Sequence, residues 1–253
     1  MYFRWSLRCS SSLFKCFKLM KWDAFHSGPR LLRHSGVCCY QLCLPDSRRL
    51  HSQNGIRVGV VTPLFLQAYR FADRVALIDE NGVYRYKDLM TLTELLTDRI
   101  ADDLGAPNDD TSGERICILC PNNASHVVAQ LAAWMTGSIA VAVSPKYPAA
   151  QLEYFLSDSQ CRMVITTEDF AERVQPVASK LGVSLLSLTR ADYCGMDIKE
   201  QSAADDDSLS QQKERRSKRL NRLQQLCDAN RFKNNPAFIF YTSGTTGSPK
   251  VII

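Results

Sequence analysis

Between residues 113 and 188 the chain alternates between two periodicities. Four short apolar runs, at 115–119 (RICIL), 139–143 (IAVAV), 163–166 (MVIT) and 184–188 (SLLSL), are separated by segments of helical period. Runs this continuous suit strands covered on both faces, the usual condition of a parallel sheet. Pro121-Asn122-Asn123 breaks the first run and offers a cap, residues 124–136 follow in helical pattern, and Gly137 is placed to end that helix. Residues 148–158 turn Leu152, Phe155 and Leu156 inward, and 169–181 form a third helical segment, with Pro176 as a candidate kink and Gly182 as its close. Strands and helices alternating at this spacing predict an α/β fold, a mostly parallel sheet with flanking helices and right-handed crossovers.

The flanks of this region are less regular. Residues 58–70 form an opening segment, with Thr62-Pro63 as N-cap and first position of a helix carrying Leu64, Phe65 and Ala68. Runs at 74–79 and 83–86 surround Asn81-Gly82, the strongest short signal for a hairpin. A helix then starts at Lys87-Asp88, with Leu89, Leu92, Leu96 and Ile100 on one face. Residues 191–235 interrupt the rhythm. Asp205, Asp206 and Asp207 precede the basic cluster 213–219, and Leu220, Leu223 and Leu226 suggest a short helix. Two readings are open for this segment, a nucleic-acid or partner patch and a polar, solvated insertion between two strands; charge runs favour the insertion.

The net charge of +5 is unevenly distributed. Residues 1–57 carry ten Lys and Arg against Asp23 and Asp46, so the remainder is mildly acidic and has no overall nucleic-acid footprint. The leader is Ser-rich and alternates basic with bulky apolar residues, the composition of a mitochondrial transit peptide; a disordered basic tail is the plainer alternative. Lys15, Lys18 and Lys21 interrupt any secretory apolar core, and no stretch approaches the ~18 apolar residues of a membrane span. Of ten cysteines, five lie in the leader. Cys117 and Cys120 have redox-motif spacing, but residues three apart on a strand point to opposite faces, so the body cysteines read as free thiols, as a reducing matrix would keep them.

The chemistry is concentrated at the end. A short apolar strand, 237–241 (AFIFY), feeds Thr242-Ser243-Gly244-Thr245-Thr246-Gly247-Ser248-Pro249-Lys250. Gly244 and Gly247 permit positive φ and bring backbone N–H groups close to an anion. Thr242, Ser243, Thr245 and Thr246 add hydroxyl donors without charge, and Lys250 supplies one cation for phosphate oxygens. The pattern is not the Walker motif, which opens a helix with Gly-Lys-Ser/Thr. A flexible Ser/Thr/Gly surface turn is the plainer reading.

Residues 241–250 resemble the phosphate-binding signature of the adenylate-forming superfamily of acyl-CoA synthetases, luciferases and peptide-synthetase adenylation domains. Residues 84–89 resemble its first aromatic-rich block, and 122–125, 127–130, 133–135 and 148–154 resemble the mitochondrial malonyl-CoA synthetase branch. The resemblance implies ATP with Mg²⁺, a small carboxylate such as malonate, an acyl-adenylate, and coenzyme A as the thiol that displaces AMP. A generic medium-chain acyl-CoA synthetase and a non-catalytic nucleotide-binding fragment are the alternatives. It also implies that Thr242, Ser243, Gly244, Thr245, Thr246, Gly247 and Lys250 hold ATP phosphates; no catalytic residue or metal ligand is assigned. Val251 stands where the family has glycine. Family members run much longer, so we expect 58–253 to be an incomplete N-terminal AMP-binding domain with the C-terminal domain absent, and the chain alone to be inactive. His126 and Trp134 are expected to pack rather than react.

Overall fold

The computed structural model describes residues 62–106, 110–194, 206–229, 231–233, 235–242 and 250–252. The leader, 1–57, and the loop residues 243–249 lie outside them. The first helix, α1 (Leu64–Ala68), buries Phe65 and Ala68. Its N-cap is Pro63, one residue later than the Thr62 expected, and the Pro63 carbonyl accepts from the N–H groups of Leu66 and Gln67. Strands β1 (Val75–Asp79) and β2 (Gly82–Arg85) form the expected hairpin, but Asp79 pairs with Gly82, so the turn is Glu80-Asn81 rather than Asn81-Gly82. The cause is the Asp79 carboxylate, which accepts from the N–H groups of Asn81 at 2.8 Å and Gly82 at 3.1 Å and so fixes the register. Helix α2 (Tyr86–Asp103) follows, begun by the Asp88 carboxylate accepting from Arg85 N–H at 2.8 Å, and it buries Leu89, Leu92, Leu96 and Ile100 as its period requires.

The sheet is built around β3 (Arg115–Leu119). It pairs in parallel with β4 (Ile139–Ala142) on one side and β5 (Met163–Thr167) on the other. Strand β6 (Ser184–Leu188) adds in parallel outside β5, and β7 (Phe238–Thr242) in parallel outside β4. A last strand, β8 (Lys250–Ile252), closes that edge antiparallel to β7. The α/β fold and the mostly parallel sheet are therefore as the alternation predicts.

Three crossover helices join β3, β4, β5 and β6 in turn: α3 (Ala124–Met135), α4 (Ala149–Asp158) and α5 (Glu168–Leu181). The Asn123 side chain caps α3 by accepting from Ser125 N–H at 3.0 Å. Gly182 ends α5 at φ +65°, a left-handed conformation that glycine adopts without strain, and Pro176 lies inside that helix. Side chains alternate along β3: Ile116 and Ile118 join α2 and α3 in one buried cluster, while Cys117 and Leu119 join α4 and α5 in the other. Cys117 and Cys120 fall into different clusters, so they face opposite sides of the sheet. Because β3 and β4 are adjacent and send their helices to opposite faces, a switch point opens at their carboxyl ends, where parallel sheets bind ligands.

The 191–235 segment contains a 23-residue helix, α6 (Asp206–Asp228), longer than its leucines alone suggest. It buries Leu223 and Cys227 and sets its arginines against the acids of α2. Arg215 Nη2 lies 2.8 Å from Asp102 and its Nε 3.2 Å from Asp98; Arg216 Nε lies 3.0 Å from Glu94; Arg219 also bonds Asp98. Arg222 reaches Asp110 at 3.1 Å. The arginines of the helix thus face carboxylates, and α6 works as the crossover from β6 to β7.

Candidate functional site

The stem of the candidate phosphate loop is the β7–β8 hairpin. Its strands pair Phe240 with Ile252, Tyr241 with Val251 and Thr242 with Lys250. Of the predicted site residues, Thr242 and Lys250 are therefore brought opposite one another as backbone partners. Ser243, Gly244, Thr245, Thr246 and Gly247 lie outside the described residues.

The register places this stem. Ala140 pairs with Phe238 and Val141 with Ile239; continuing it sets Phe240 level with Ala142, the last residue of β4. Tyr241 and Thr242 thus run past the carboxyl end of β4, on the side where the switch point opens.

Alternating side chains clamp β7 from both faces. On one, Phe238 meets Trp134 edge-on at 5.9 Å and stacks on Phe240 at 4.1 Å, while Trp134 Nε1 donates to the Ala237 carbonyl at 2.6 Å. Phe240 itself remains 39% exposed. On the other, Ile239 is buried and the Tyr241 ring lies 4.6 Å from Phe155. The Tyr241 hydroxyl donates to Asp158 at 2.7 Å. Burial first, and the Asp158 carboxylate second, raise the Tyr241 hydroxyl well above the usual tyrosine range, so it stays a neutral donor. Nothing local in the sequence signals this contact, because Asp158 is 83 residues away and reads there only as the end of a helix.

The remaining candidates are structural. His126 is 8% exposed, its Nδ1 has no hydrogen-bond partner among the described residues, and burial pushes its pKa down to about 4. It is a neutral packing residue, as expected. Trp134 packs against β7 by way of Phe238 and Ala237. Cys117, Cys120, Cys161, Cys194 and Cys227 are buried and form no disulfide among the described residues, and burial pushes Cys120 up to about 12. Among the described residues no cluster of three His, Cys, Asp or Glu could hold a metal ion, and no helix is long and apolar enough to cross a membrane.

The family model for AMP-binding enzymes matches residues 64–253. Mitochondrial malonate–CoA ligase ACSF3 of Mus musculus is 35% identical over 92% of this chain and 35% of its own length. The Homo sapiens protein of the same name is 37% identical over 81% of this chain and 32% of its own. The chain thus spans about a third of the length of these curated relatives. Among solved structures, O-succinylbenzoate coenzyme A synthetase MenE of Bacillus subtilis aligns with a TM-score of 0.49 at 18% identity, over 76% of this chain and 42% of that one. With three quarters of its residues under the family model and its apolar runs folded into the parallel sheet the alternation predicted, the chain belongs to the AMP-binding enzyme family.

Proposed function

We propose that the protein serves as an ATP-dependent carboxylate–CoA ligase with malonate as the acid, acting through an acyl-adenylate. One observation carries this reading: 35% identity to a malonate–CoA ligase across 92% of the chain. The hairpin supports it, since Thr242 and Lys250, the two ends of the hydroxyl- and glycine-rich segment, pair at the carboxyl side of the parallel sheet. Thr242, Ser243, Gly244, Thr245, Thr246, Gly247 and Lys250 would hold the ATP phosphates through backbone N–H groups, hydroxyls and one cation. Mg²⁺ would neutralise part of the charge on the phosphates. Adenylation brings two anions together, so these donors would act by positioning and by stabilising the leaving pyrophosphate. Removing one such donor typically costs ~3–4 kcal/mol of transition-state stabilisation.

In this reading residues 58–253 supply part of an N-terminal AMP-binding domain and 1–57 a mitochondrial address, with the matrix as destination. For the 253 residues taken alone we propose MgATP binding without turnover, because the aligned region is a third of the relatives' length. Two assays test the proposal. A chimera carrying residues 62–253 in place of the aligned region of the mouse ligase should make malonyl-CoA from malonate, ATP and coenzyme A. A chimera that folds but binds no MgATP contradicts the reading. Malonate-dependent pyrophosphate exchange by the 253-residue chain alone would overturn the second statement.

A further inference from the structure

Tyr241 stands one residue before the point where the candidate loop leaves the hairpin. At its level the stem has run past β4, and its backbone pairs with Val251 of β8. A two-stranded ribbon is marginally stable by itself in water, so something must fix the angle at which this one leaves the sheet. The Tyr241 side chain does so by turning onto α4. Its ring lies 4.6 Å from Phe155 and 6.3 Å from Tyr154, and its hydroxyl donates to Asp158 Oδ2 at 2.7 Å.

Asp158 is the last residue of α4, where a carboxylate opposes the helix dipole. Helix stability therefore does not explain an acid at this position, whereas a hydrogen bond to a charged acceptor does. The helix is itself a firm anchor. Leu152, Phe155 and Leu156 are buried in the sheet, Glu153 pairs with Lys180 of α5 at 2.6 Å, and Arg173 of α5 donates to the Tyr147 carbonyl at 2.7 Å just before α4 begins.

We propose that Tyr241 and Asp158 form a latch that sets the β7–β8 stem on α4, making both positioning residues for the phosphates that Thr242 and Lys250 would meet. This rests on the nucleotide reading of the hairpin, and the test separates the two. Tyr241→Phe, Asp158→Ala, their double variant and Asp158→Asn are compared with the wild type in the full 253-residue chain. Hydrogen–deuterium exchange is followed over 238–252, and MgATP is titrated by calorimetry. A hydrogen bond to a charged acceptor at a half-exposed site predicts about tenfold faster exchange of the stem in Tyr241→Phe and in Asp158→Ala, with α2 and β3 unchanged. MgATP affinity falls by a similar factor, the double variant is no worse than either single, and Asp158→Asn, which keeps an acceptor, stays within about threefold of wild type. Unchanged stem exchange, additive effects in the double variant, or loosening spread evenly through the sheet overturns the latch. If the stem loosens as expected while the wild type binds no MgATP, the latch stands and the phosphate reading falls. Should Asp158→Ala fail to fold, Tyr241→Phe decides against Asp158→Asn, and equal stem exchange in those two contradicts the proposal.

Discussion

Replacing Asp98 with Ala probes how α6 is held to the sheet. Asp98 faces both Arg215, at 3.2 Å from Nε, and Arg219. The Arg219 side chain is 1% exposed and that of Asp98 is 21% exposed. Taking one partner from a buried ion pair costs ~3–5 kcal/mol, because the other charge stays in a poorly solvated place. Asp98 keeps some access to water, so the lower end, about 3 kcal/mol, applies. For a chain of this size that is a fall of roughly 6–12 °C in Tm. Asp102→Ala is the control. It removes a 2.8 Å pair with the same Arg215, but the Asp102 side chain is 64% exposed. Exposed pairs contribute ~0.2–1 kcal/mol, so this variant should unfold close to wild type. Converting Asp98 and Arg219 together to Leu and Met should recover most of the loss, since apolar residues of similar volume replace a buried pair at little cost. Urea unfolding followed by circular dichroism reads all three. Equal losses in Asp98→Ala and Asp102→Ala, or a loss in Asp98→Ala below about 1 kcal/mol, would refute the claim that α6 is anchored through a buried charge.

Other outcomes follow from burial and backbone geometry. Burial holds His126 near 4 in the folded protein, against an ordinary ~6.5. The unfolded chain therefore gains a proton first on acidification, so the stability linked to His126 is complete above ~6.5 and is lost, up to ~3 kcal/mol, as pH falls toward 4. An NMR titration should give the imidazole a midpoint near 4; one near 6.5 contradicts its burial. Native alkylation with iodoacetamide, mapped by mass spectrometry, should spare Cys120, whose thiol burial pushes up to about 12, until the chain is unfolded. Labelling at the rate of a free peptide thiol would contradict this. Gly137 and Gly182 both have positive φ, at +87° and +65°, but a Cβ on Gly137 would sit 2.8 Å from Ser112 Oγ whereas none lies within 4 Å at Gly182. Gly182→Ala should thus cost about 1 kcal/mol from backbone strain alone, and Gly137→Ala more; the reverse order would be wrong for this geometry.

What could be read from residues was what obeys local rules. The runs at 115–119 and 139–143 became β3 and β4 because an unbroken apolar run suits a strand covered on both faces. Asn123 capped α3 and Gly182 closed α5 through chemistry contained within a few residues. The hairpin register slipped by one because a side chain, Asp79, outranked the Asn-Gly preference. Helix α6 was the harder case. Its mean composition is polar, and the acids that pair with it lie on α2, more than 100 residues earlier. Charge patterning alone suggests solvent for such a segment, and only the tertiary structure supplies the opposite face. At the site, the hydroxyl and glycine spacing marks the candidate phosphate residues, and of these the structure pairs Thr242 with Lys250. The Tyr241–Asp158 bond had no local trace, since it depends on β7 entering the sheet beside β4 and α4 lying beneath it.

Calorimetric titration of MgATP into wild-type chain and Lys250→Ala bears most directly on the nucleotide role of the β7–β8 hairpin. Binding by the wild type, with at least about a tenfold loss in the variant from removal of the proposed charge-assisted phosphate contact, is the expected result. Absence of binding by the folded wild type, or equal affinities in the two, would contradict it.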